Sequence, residues 1–110
     1  MSEKEQEERG RKGVSLMLSI AERARVNRDR LIGEFLELVQ TDSESGDERA
    51  ICDLLKKKLR ALGLKVVEDH TASFTNHNAG NLIATFPGNV SDAPTIYFTS
   101  HMDTVAPGKH

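Results

Sequence analysis

The feature that most constrains this sequence is a change of period. Up to Leu62 apolar residues recur at helical spacing, and from Leu64 onward they gather in short β-prone runs. Leu31, Ile32, Phe35, Leu36, Leu38 and Val39 form one broad stripe. Asn27 precedes it as a good N-cap, and Asp29 sits in the first turn, where the helix dipole favours an acid. Ile51, Leu54, Leu55, Leu59 and Leu62 form a second stripe, with Lys56, Lys57, Lys58 and Arg60 elsewhere on the helix. Gly63 stands where a left-handed cap would end it. Between the stripes, TDSESGDE (41–48) reads as a turn, with Ser45 and Glu48 spaced as a capping box. LKVVED (64–69), NLIATF (81–86) and TIYFTS (95–100) read as strands, the last apolar enough to be covered on both faces. The expected fold is α/β, two helices followed by three strands, with helices layered on a sheet. Three strands leave two open edges, so the sheet is expected to be incomplete and able to self-associate.

Composition narrows the function by exclusion. The chain has 110 residues, at most one small domain, and a formal net charge of −2. That balance predicts neither nucleic acid nor an anionic membrane as a partner. The basic cluster RARVNRDR (23–30) lacks interleaved aromatics and reads as a solvated helix start. Residues 1–26 read as a charged extension, disordered to helical, with a short helix over Val14–Ala24. The apolar run GVSLMLSIA (13–21) follows four glutamates and four basic residues, which is not the positive leader of a signal peptide. The single cysteine, Cys52, lies beside the second stripe, reads as a small core residue and fits a reducing compartment. The expected location is cytoplasmic. His70 and His77 fall in a polar loop and read as exposed loop histidines.

The chemistry concentrates at the end of the third expected strand, in TSHMDTV (99–105). Ligands of open α/β sheets gather outside the carboxyl ends of strands. In extended backbone His101 and Asp103 share a face, so the carboxylate can accept the imidazole N–H, fix its tautomer and raise the basicity of the other nitrogen. Such a pair suits one metal ligand and its orienter. The spacing alone equally suits a capped strand end with a surface His–Asp pair. A catalytic zinc needs about three protein ligands, and His110, at the chain terminus, is poorly held.

Four stretches in order, LIGEFLELVQTDSESGDE, LRALGLKVVED, AGNLIATFPG and IYFTSHMDTVAPGK, resemble the N-terminal part of the peptidase T-like zinc metallopeptidases. These are the tripeptide aminopeptidases, with related carboxypeptidases and deacylases. The resemblance runs from Asn27 to the end and implies that residues 27–110 are the N-terminal part of a metallopeptidase catalytic domain, truncated. It implies that His101 is a ligand to one zinc of a two-zinc site and that Asp103 is the catalytic carboxylate orienting it. Gly80 and Asn81 match the family's Gly-Asn turn, a backbone role. The family's remaining ligands, its glutamate base and its lid domain lie further along than this sequence reaches. The implied function is a fragment of a zinc-dependent exopeptidase acting on short peptides, inactive by itself. The alternative is a non-catalytic pseudoenzyme or interaction module pairing through an open sheet edge.

Overall fold

The structure, a computed structural model, describes residues 1–12 and 24–106. The expected helix over Val14–Ala24 (apart from Ala24 itself), the apolar run 13–21 and His110 lie outside the described residues. The chain divides into two compact units, Met1–Leu36 and Glu37–His110.

In the first unit, residues 3–12 are helical, as far as they are described (α1). Residues 3–12 are held in this helix by their own side chains. The Ser2 N–H donates to Glu5 Oε2 at 2.6 Å and the Glu5 N–H to Ser2 Oγ at 3.3 Å, a reciprocal capping box. Glu7–Arg11 and Glu8–Lys12 pair one turn apart. The next helix, α2, spans Arg28–Val39. It starts as its sequence predicts, with the Arg30 N–H donating to Asn27 Oδ1 at 3.0 Å. No residue of α2 is buried, and Leu31, Ile32, Phe35, Leu36 and Val39 are all exposed.

The second unit is built on α3, Arg49–Ala61. Its end is a Schellman motif: the Gly63 N–H reaches Arg60 O at 2.9 Å and the Leu64 N–H reaches Leu59 O at 3.2 Å, with Gly63 at φ +85°. The chain then turns directly into β1 (Lys65–Glu68), which pairs antiparallel with β2 (Leu82–Thr85). The register sets Val66 opposite Ala84 and Glu68 opposite Leu82 on one face, and Val67 opposite Ile83 on the other. α3 packs on the first face. Among the described residues, Ile51, Cys52, Val66 and Ala79 are the buried apolar ones, and Cys52 is fully enclosed, as expected of a small core residue. Val67 and Ile83, half exposed at 50% and 52%, leave the other face open.

The fold is thus an incomplete α/β piece, with two expectations corrected. Residues 95–100 form no strand among the described residues. A strand exists only through ladder bonds to a neighbour, and here TIYFTS has none, leaving Tyr97 and Phe98 83% and 88% exposed. The capping box at Ser45 does not form either. Glu48 itself is the residue before α3, with no side-chain cap. Ser45 lies too far upstream to cap that first turn and bonds elsewhere.

Candidate functional site

The site begins with the loop before α3. Gly46 takes φ +96°, which lets the Asp47 N–H close onto Glu44 O at 2.8 Å. The Glu48 carboxylate folds back over this turn, accepting the Gly46 N–H at 2.9 Å and His77 Nδ1–H at 2.9 Å. Burial pushes that carboxyl up, but the Gly46 N–H and the His77 ring outweigh it and hold it below its ordinary range. His77 is therefore a structural partner of Glu48, not an idle loop histidine. Asn78 secures the same turn, its N–H donating to Gly46 O at 3.1 Å and its side-chain amide to Asp47.

Onto this anchored loop docks the segment carrying the expected ligand. Glu44 and Thr104 form an isolated parallel bridge, with the Thr104 N–H on Ser43 O at 2.8 Å. The Ser43 and Thr104 hydroxyls stand 3.5 Å apart. The Ser45 hydroxyl donates to Asp103 Oδ2. On its other oxygen, Asp103 Oδ1 accepts from His101 Nδ1 at 2.9 Å, and the Asp103 carbonyl oxygen shares that proton, also at 2.9 Å. Both partners of Nδ1 are acceptors only, so Nδ1 carries a proton, and in the neutral ring Nε2 is the nitrogen that keeps its lone pair. The Ser45 hydroxyl, and after it the His101 ring, hold the Asp103 carboxyl below its usual range. The His101 side chain is 84% exposed, so Nε2 is open to a ligand. The structure thus brings His101 and Asp103 together. These residues fit one corner of a metal site, a single imidazole nitrogen with its orienting carboxylate.

Gly80 and Asn81 hold the other end of the sheet. A Cβ on Gly80 would lie 2.2 Å from the Asp69 carbonyl oxygen, so the close approach admits only glycine. The Gly80 N–H donates to Glu68 Oε1 at 3.0 Å. Asn81 clasps Asp69 through both its N–H and its amide, at 2.8 and 3.0 Å. The Thr71 hydroxyl, then Asn81, drives the Asp69 carboxyl far below its ordinary range.

Among the described residues, one group of three potential ligands gathers, Cys52, Asp53 and Glu68, their ligand atoms within 4.8 Å of one another. It is a salt-bridge network and does not fit a metal. Glu68 accepts both Arg49 nitrogens, at 2.8 and 3.0 Å, together with Lys56 Nζ. Arg49, then Lys56, pulls the Glu68 carboxyl far below its ordinary range. Asp53 is held by Arg49 at 2.7 Å, and burial pushes the Cys52 thiol up, away from the thiolate a metal needs. Sequence reasoning missed this network and the role of Ser45, whose partner lies 58 positions away.

No family model matches the chain. It is similar to the uncharacterized protein YqjE of Bacillus subtilis strain 168, 58% identical over 83 residues, which are 76% of this chain and 22% of that protein. Among solved structures it is similar to aminopeptidase PepT from Bacillus cereus ATCC 10987, at TM-score 0.73 and 55% identity, covering 76% of this chain and 22% of that one. It is also similar to a tripeptidase from Staphylococcus aureus Mu50, at TM-score 0.71 and 49% identity, covering 74% and 22%. With the fold, these matches make the chain an incomplete α/β piece that matches a fragment of a peptidase domain. The chain matches a fragment of the aminopeptidase and of the tripeptidase, and spans about a fifth of the length of these relatives, 22%.

Proposed function

We propose that this chain supplies one corner of the metal centre of a zinc-dependent exopeptidase that hydrolyses short peptides. The observation that carries the reading is the His101–Asp103 contact, which holds Nδ1 and leaves Nε2 facing outward on a segment clipped to the loop before α3. His101 is the metal ligand and Asp103 holds its ring in the ligating tautomer. In the complete peptidase two zinc ions are expected, and zinc, when bound, supplies a water acidic enough to attack a peptide carbonyl at neutral pH. Residues 27–110 form the catalytic-domain part and residues 1–26 an extension. The setting is cytoplasmic, consistent with the absence, among the described residues, of any helix long and apolar enough to cross a membrane. Among the described residues the site gathers one imidazole and its carboxylate, fewer than the ligands and base that zinc hydrolysis uses, so the isolated chain is expected to hydrolyse no peptide.

A chimera tests this. The matching segment of the Bacillus cereus aminopeptidase is replaced by this chain, and tripeptide hydrolysis and bound zinc are measured. An active chimera that loses zinc and activity on His101→Ala supports the reading. A folded chimera with neither zinc nor activity overturns it. A second reading, an interaction module pairing through its open sheet, is favoured by the exposed Val67, Ile83, Tyr97 and Phe98. A folded, inactive chimera together with concentration-dependent association of the isolated chain would establish that reading instead.

A further inference from the structure

We propose that Ser45 is a positioning residue for His101, acting through the Asp103 carboxylate; the proposal deepens the metal-site reading above and rests on it. Three observations support this. The Ser45 hydroxyl donates to one Asp103 oxygen while the other accepts the His101 N–H, so the carboxylate is gripped from both sides. Asp103 is partly exposed, and the Ser45 hydroxyl is the side-chain donor on the oxygen that faces away from the ring, so it helps to hold the carboxylate plane toward His101. Ser45 is itself fixed, because the turn it occupies is tied to the 103–104 segment by the Glu44–Thr104 bridge and to Asn78 by the Gly46 carbonyl. The chain of contacts runs from a rigid turn, through a hydroxyl and a carboxylate, to the imidazole. Its consequence is that Nδ1 keeps the proton and Nε2 keeps the lone pair before any metal arrives. Without the hydroxyl the carboxylate can turn away, leaving only the Asp103 carbonyl on Nδ1–H, and the Nε2–H tautomer becomes populated.

The test is made on the metal-free 110-residue chain and reads the His101 ring nitrogens by ¹⁵N NMR, at a pH where the imidazole is neutral. The unmutated chain is expected to show the Nδ1–H tautomer. Ser45→Ala should shift the ring nitrogens toward the Nε2–H pattern, in the direction of Asp103→Ala, and Ser45→Thr should restore the unmutated values. Backbone amide shifts of α3 report that the fold is intact. Should Ser45→Ala unfold the chain, Ser45→Cys, a weaker donor of similar size, replaces it and should give an intermediate shift. Ring nitrogens unmoved by loss of the hydroxyl, whatever Asp103→Ala does, overturn the proposal. This readout needs neither metal nor activity, so failure here leaves the chimera result standing, and failure of the chimera leaves this one.

Discussion

Gly80 shows how much one side chain's absence can carry. Its backbone lies against the Asp69 carbonyl, and its N–H satisfies the Glu68 carboxylate that Arg49 and Lys56 also hold. Gly80→Ala must therefore push two loops apart, and is expected to destabilise the chain by about 1–3 kcal/mol, measured by urea denaturation. Glu68 gives a pH prediction. Its carboxyl is more acidic folded than unfolded, chiefly through Arg49, so the unfolded chain takes up this proton first as pH falls. Its contribution is complete above the ordinary carboxyl range and is lost progressively below about pH 5. Glu68→Gln should lower stability at neutral pH by about 1 kcal/mol, after allowance for solvent screening, and flatten the acid limb of the urea midpoint against pH. An acid limb as steep as that of the unmutated chain would contradict the assignment.

At the scale of elements, α3 and the strand it feeds form the best-specified part of the molecule. The Schellman turn requires Gly63 in the left-handed region, and Gly63→Ala is expected to cost about 1–2 kcal/mol, seen as a lower thermal midpoint. The run 95–100 behaves oppositely. It has the composition of a central strand but no ladder, so its amides should exchange with solvent far faster than those of α3. Protection of Ile96–Ser100 equal to that of α3 would show that the run pairs after all. The reason is general: helix bonds are local and can be read from one segment, whereas a strand is half of a pair.

Across the whole molecule the open sheet face and the exposed aromatic run dominate behaviour. Surface of that kind on a small chain is expected to drive association, so sedimentation at rising concentration should show species larger than the monomer. Val67→Lys, which places a charge on the open face, should reduce it. A sharp unfolding transition from a strict monomer would argue that this face is stable in water.

What the sequence determined by itself was whatever depends on neighbours a few residues apart. The presence of α2 and α3, the Asn27 and Gly63 caps, two of the strands (expected over 64–69 and 81–86, observed over 65–68 and 82–85), and the His101–Asp103 pair at i, i+2 were legible from spacing, whereas the start of α3 was not. The family resemblance was carried by whole stretches such as AGNLIATFPG, not by spacing. Only the tertiary structure decided that Ser45 serves Asp103 instead of capping a helix, that Glu48 clamps the Gly46 turn with His77, and that Glu68 is shared by Arg49, Lys56 and Gly80. Such contacts join residues as many as 58 positions apart. Spacing along the chain encodes local periodicity and caps, and it holds no record of which distant polar group will be close enough to accept a proton.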